Sequence, residues 1–101
     1  MKKIECIIRS ERLTVVEQAL RSEQISGMTI SEVKGFGRQR QRAAAKIKVE
    51  IYAIDVEVDK IIRVITQMAY SGKVGDGKIA VLPLDNVIRI RTQEEGAKAL
   101  V

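Results

Sequence analysis

Between Lys3 and Arg9 apolar and polar positions alternate. Ile4, Cys6 and Ile8 fall on one side of the chain, and Glu5, Ile7 and Arg9 on the other. A period of two predicts a strand with one buried face. Ser10 is placed to cap a helix, along which Leu13, Val16, Ala19 and Leu20 recur at helical spacing and Glu17, Gln18 and Arg21 face water. Gly27 is the expected stop. Met28 to Lys34 reads as a second strand. The run Gly35-Phe36-Gly37-Arg38-Gln39 is a loop signal, with Phe36 as a plug for the core rather than a base-stacking ring. Arg40 to Ala45 is ambiguous, since Ala and Arg favour helix over a stretch too short to hold one.

Alternation returns from Lys46 to Ala53, with Ile47, Val49 and Ile51 opposed to Lys48, Glu50 and Tyr52. Asp55 is a good N-cap for the clearest helical stripe in the chain: Val58, Ile61, Ile62, Ile65, Met68 and Ala69. Gly72 suits a left-handed helix end, and Gly75-Asp76-Gly77 reads as a tight turn. Lys78 to Leu82 is a fourth strand, closed by the lone proline, Pro83. Asn86 to Thr92 reads as a short fifth strand, with Arg89 and Arg91 on one face. The order strand–helix–strand, strand–helix–strand predicts an α+β fold: a ferredoxin-like βαββαβ sandwich, one antiparallel sheet with both helices on one side. The other sheet face stays uncovered, and residues such as Ile7 and Tyr52 on it point to self-association.

Composition narrows this picture. A chain of 101 residues is expected to be a single domain spanning 1–101. Its core must be aliphatic, because Phe36, Tyr52 and Tyr70 are its only aromatic residues. No histidine and one cysteine, Cys6, exclude histidine-based catalysis, a disulfide framework and a Cys/His zinc site. No apolar signal run or span-length stretch occurs, so a soluble cytoplasmic protein is expected. No nucleophile–base pair or carboxylate pair argues for an enzyme.

The net charge of +5 is carried by the first half, where residues 1–50 hold eleven basic and six acidic side chains against seven of each in 51–101. Between Glu32 and Glu50 lie Lys34, Arg38, Arg40, Arg42, Lys46 and Lys48 with no acid among them. Such a run either keeps a loop solvated or favours an anionic partner. A nucleic-acid-binding module using segment 34–48 is the alternative reading. Against it stands the shortage of aromatic residues for stacking bases.

Gly72 to Lys78 fits the first seven positions of a phosphate loop, but Ile79 stands where a magnesium-binding Ser or Thr belongs. The context is also reversed, helix to strand, so a P-loop NTPase is rejected. Lys78 beside two glycines still lets main-chain N–H groups approach a phosphate. Arg89 and Arg91, on one strand face, would repel each other unless an anion lay between them.

Four blocks in order, Met1-Lys-Lys-Ile-Glu5, Gly27 to Gln39, Gly72 to Ile79 and Val87 to Thr92, closely resemble the PII nitrogen-regulatory signal proteins. The resemblance implies a ferredoxin-like subunit in a homotrimer and ATP or ADP bound between subunits. It also implies 2-oxoglutarate sensed with Mg-ATP, and control of a transporter, enzyme or transcription factor by contact, without chemistry. Nucleic acid and membrane insertion are not expected. By position, Lys78, Arg89 and Arg91 match phosphate contacts, and Gly75, Asp76 and Gly77 the loop around the phosphates. Thr29, Glu50 and Tyr52 match the adenine side, Tyr52 replacing a smaller aliphatic residue. Gly35, Gly37, Arg38 and Gln39 match the nucleotide-lining stretch at the base of the effector loop. Gln39 and Lys46 match positions linked to 2-oxoglutarate, and magnesium would be held through Gln39 with ATP rather than by the protein alone.

The chain departs from the pattern after Gln39. Relatives carry a long mobile loop there, with a tyrosine that is uridylylated. Here the effector loop is reduced to about residues 38–45 and lacks that tyrosine, so uridylylation and insertion into an ammonium channel are not expected. Loop backbone that helps hold the metal and metabolite is also missing, so the nucleotide is the expectation and 2-oxoglutarate is left as a question.

Overall fold

The alternation in Lys3–Arg9 and Lys46–Ala53 becomes the two central strands of a sheet. In a computed structural model, which describes residues 1–38 and 40–101 and only the main chain of Arg40 and Gln41, the elements run in a βαββαβ order. They are β1 (Lys2–Ile8), a 3-10 turn (Ser10–Arg12), α1 (Leu13–Ser22), β2 (Thr29–Gly37), β3 (Arg40–Ala53), α2 (Asp55–Ala69), β4 (Lys78–Pro83) and a second 3-10 turn (Gly96–Leu100). The strand order is β2-β3-β1-β4, antiparallel throughout. This is the ferredoxin-like sandwich that the residue pattern predicts.

One face of the sheet makes the core. Ile4, Cys6 and Ile8 of β1 and Ile47, Val49, Ile51 and Ala53 of β3 meet Val16 and Leu20 of α1 and Ile61, Val64, Ile65 and Ala69 of α2, all buried. Burying each large aliphatic side chain contributes about 1.5–3 kcal/mol, and no aromatic ring takes part among the described residues. The thiol of Cys6 is pushed up to about 11 by that burial.

Among the described residues no helix lies over the opposite face. In register across it stand Thr29, Glu50, Glu5 and Ala80, and one step along, Tyr52, Lys3 and Leu82. Lys3 bridges Glu50 at 2.8 Å and Glu5 at 3.3 Å, and Lys48 reaches Glu50 at 3.8 Å and Glu5 at 3.6 Å. Hydrogen bonding to Lys3 draws the Glu50 carboxyl below its usual range, and Glu50 in turn raises the Lys3 ammonium.

Several element ends differ from the residue-level reading. Neither Ser10 nor Asp55 caps a helix: the N-cap positions are Arg12 and Ile54, without side-chain bonds. Asp55 instead pairs with the Met1 ammonium at 2.8 Å. α1 stops at Ser22, not Gly27, because Gln24 adopts the left-handed conformation at φ 61°. Gln24 N–H then donates to Arg21 at 2.9 Å and Ile25 N–H to Leu20 at 3.2 Å, the paired bonds of a Schellman end. α2 ends with Tyr70 extended; Gly72, at φ 82°, serves the following turn instead.

Two larger differences concern the loops. Gly35–Gly37 is strand, not loop: β2 pairs with β3 as far as Gly37 opposite Arg40, with a register shift between Gly35 and Gly37. Phe36 is 74% exposed and plugs nothing. With so few residues in the connection, the two strands stay paired almost to the turn. The fifth strand is absent from the sheet. Segment 86–101 folds back on itself around a turn at Ile90–Thr92, with Gln93 at φ 61° and a single bridge between Ile88 and Glu95.

Candidate functional site

β4 lies beside β1, so the turn that feeds β4 must approach the end of β1. Ile7 pairs with Lys78, and Gly77 sits so close that an added Cβ would lie 1.6 Å from the Ile7 carbonyl oxygen. Gly77 also holds φ at 103° and Gly75 at 99°, conformations that side chains resist. Only glycine fits Gly77 on both counts.

The turn 71–77 is organised by Asp76. Its carboxylate accepts from the Ser71 N–H at 2.8 Å, the Gly72 N–H at 2.9 Å and the Ser71 hydroxyl. Arg9 Nε donates to the same carboxylate at 3.1 Å, and Arg9 Nη2 to the Val74 carbonyl. The Lys46 ammonium donates to the Gly75 carbonyl. The two hydrogen bonds from Ser71, with Arg9 and Gly72, hold the Asp76 carboxyl far below its usual range.

Against this turn lies the base of the β2–β3 hairpin, and between them opens a cleft of about 760 Å³. That volume falls within the roughly 300–1,000 Å³ of small-molecule sites. Its lining carries Lys34, Arg38, Lys46, Lys48, Lys73 and Lys78, against the acids Glu5 and Asp76 alone. The cleft is therefore strongly positive, and Asp76 has its oxygens committed to the turn. Among the described residues, the main-chain N–H groups of Gly75 and Gly77 donate to no protein acceptor.

Of the sequence-predicted site residues, Gly35, Gly37, Arg38, Lys46, Gly75, Asp76, Gly77 and Lys78 come together here. Gln39 lies outside the described residues, and with it the readings of that residue for nucleotide, 2-oxoglutarate and magnesium. Thr29, Glu50, Tyr52, Arg89 and Arg91 do not line the cleft. Thr29 faces Glu50 across β2 and β3, with Tyr52 one step further on the same sheet face. Arg89 and Arg91 do not share a strand face. Arg89 bonds Glu94 at 3.0 Å and the main-chain oxygens of Ala99 at 3.2 Å and Val101 at 2.6 Å, while Arg91 is exposed in the turn. Residue-level reasoning missed Arg9 and Lys73 as parts of this neighbourhood, and had Lys34 and Lys48 only as members of the basic run. The signal for Arg9 is topological: once β1 pairs antiparallel with β4, the residue after β1 must meet the turn before β4.

A family model for nitrogen regulatory protein P-II matches residues 1–94. The chain belongs to the P-II family. It is 43% identical to nitrogen regulatory protein P-II of Azospirillum brasilense, covering 99% of this chain and all of the relative. It is 45% identical to the P-II protein of Pasteurella multocida and 41% identical to nitrogen regulatory protein GlnK of Escherichia coli K12, at the same coverage. P-II proteins are regulators, not enzymes, and their ferredoxin-like fold is the one described above. Among the described residues no cluster of His, Cys, Asp and Glu could hold a metal, and no helix is long and apolar enough to cross a membrane.

Proposed function

We propose that this chain is an adenine-nucleotide-binding regulator of nitrogen and carbon metabolism, a homotrimer that acts on a partner protein through a shortened effector hairpin. The observation that carries this reading is the division of the expected site. The positive cleft holds the turn glycines, Lys78 and Arg38. Thr29, Glu50, Tyr52, Arg89 and Arg91 present themselves elsewhere on the same chain. A site split in this way is complete only where the cleft of one copy meets the second group on a neighbour. The nucleotide's phosphates would then lie on Lys78 and the glycine N–H groups, with Arg89 and Arg91 closing from the adjacent copy.

Relatives of this chain align over 112 positions, more than its 101 residues can fill. Part of their length has no counterpart here, consistent with a truncated loop after Arg38. What remains is the paired end of β2 and β3, with exposed Phe36 between Lys34 and Arg38, which line the same cleft. An apolar ring within a cationic rim suits an acidic partner surface. Nucleotide would act by binding two states of this hairpin unequally. Magnesium enters only with ATP. A 2-oxoglutarate site at Gln39 and Lys46 is not included, because Gln39 lies outside the described residues and the loop that would complete the site is short.

Titration calorimetry with ATP, ADP and AMP tests the proposal. Binding by ATP or ADP is expected. Each charge-assisted phosphate contact is worth about 1.5–3 kcal/mol, so Arg89→Gln with Arg91→Gln should weaken ATP binding by at least about a hundredfold while leaving the fold intact. No binding of any of the three at millimolar concentration overturns the reading.

A further inference from the structure

We propose that Arg9 is a positioning residue for the phosphate-facing turn 71–77, acting through Asp76 and the Val74 carbonyl, and that neither Arg9 nor Asp76 needs to touch the ligand. The inference rests on the nucleotide reading above and assigns a role to two residues that the split site does not explain.

Arg9 follows the last residue of β1 and is rooted in the sheet; only 17% of its side chain is exposed. Its guanidinium makes a fork: Nε to the Asp76 carboxylate and Nη2 to the Val74 carbonyl. Asp76 in turn draws in the N–H groups of Ser71 and Gly72, and Lys46 takes the Gly75 carbonyl. The turn's acceptors are thus gathered toward cations of the protein. The N–H groups of Gly75 and Gly77 have no protein acceptor among the described residues. A glycine-rich turn is conformationally loose by itself, and Gly72, Gly75 and Gly77 all hold positive φ. The Arg9–Asp76 fork supplies the constraint that the glycines remove. An acid within an anion site would be unfavourable as a ligand; as a turn organiser, fully bonded, it is accounted for.

The sign of one substitution separates positioning from charge. If Asp76 acts only through its charge, Asp76→Asn should strengthen ATP binding, since a negative group leaves a site for polyphosphate. If it organises the turn, Asp76→Asn should weaken ATP binding about tenfold or more. Arg9→Met should do the same, and the double variant should cost no more than the larger single one. Arg9→Lys, which keeps the charge and loses the fork, should fall near Arg9→Met. The ratio of ATP to AMP affinity should drop in each variant, a change that a uniform loss of stability would not produce. Hydrogen exchange on the unliganded full-length protein supplies a second readout: the amides of Ser71 and Gly72 should exchange at least tenfold faster in Arg9→Met, with the amides of β1 and β3 unchanged. If wild type binds ATP and Asp76→Asn binds it equally or better, positioning is wrong and the nucleotide site stands. If wild type binds no nucleotide, the site reading is wrong, and positioning as proposed falls with it. If exchange at Ser71 and Gly72 is unaltered in Arg9→Met, the fork does not set the turn, and positioning is wrong whatever the affinities.

Discussion

Gln24 carries a conformation that its side chain opposes. At φ 61° a non-glycine residue pays roughly 1 kcal/mol of steric cost, accepted here because the Schellman bonds to Leu20 and Arg21 close α1 and bring Ile25 against the core. Gln24→Gly should therefore raise stability by about 0.5–1 kcal/mol, read as a higher urea midpoint with an unchanged slope. The sequence offered Gly27 as the obvious stop, and a propensity argument prefers it. What decided the helix end was tertiary: Ile25 has a place in the core three-dimensionally, and the chain reverses where that place can be reached. Cap positions failed for the same reason. Asp55 is an ordinary N-cap by residue type, yet the Met1 ammonium lies within 2.8 Å and takes its carboxylate.

Among elements, the strands and helices were legible because their periods are long enough to be counted. Ile4, Cys6 and Ile8 against Lys3, Glu5 and Ile7 leave one orientation for β1, and the stripe of α2 leaves one for that helix. Short irregular stretches were not. Val87 to Arg91 alternates like a strand, but it joins neither edge of the sheet and closes on Glu94 and Glu95 instead. The turn 71–77 was recognised from its glycines, while its organiser, Arg9, lies 67 residues from Asp76 and no local pattern joins them. Asp76 also gives this turn an acid dependence. Its carboxyl is held far below the usual range by Ser71, Arg9 and Gly72. A carboxyl depressed in the folded state stabilises it fully above the unfolded value of about 4, and that contribution drains away as the pH falls below it. Urea midpoints measured from pH 6 to pH 2.5 should fall more steeply for wild type than for Asp76→Asn, with the two curves converging at the acid end.

At the scale of the molecule, the sheet has one face dressed by helices and one bare. On the bare face Tyr52 is 49% and Leu82 40% exposed, beside a ring of paired charges made by Lys3, Glu5, Lys48 and Glu50. Half-buried surface ion pairs of this kind contribute little singly, about 0–1 kcal/mol, and do not by themselves justify their place. In the trimer proposed above they would set a register for a second and third copy brought face to face. Sedimentation should report a trimer, and Leu82→Asp should yield protomers with an unchanged far-UV spectrum; a trimer that survives that change would remove the bare sheet from the assembly. The same result bears on the proposed nucleotide site, since Thr29, Glu50, Tyr52, Arg89 and Arg91 stand away from the cleft and would have to arrive from a neighbour.

The ladder between β2 and β3 runs on to Gly37 and Arg40, broken in register only at Gly35–Gly37. A floppy arm loses entropy when a partner immobilises it, about 1–2 kcal/mol for each residue fixed. A ribbon that is already paired has met that cost during folding. Phe36 stands within the break and lines the cleft, so whatever fills the cleft would meet the same ring that a target meets, with no lever between them.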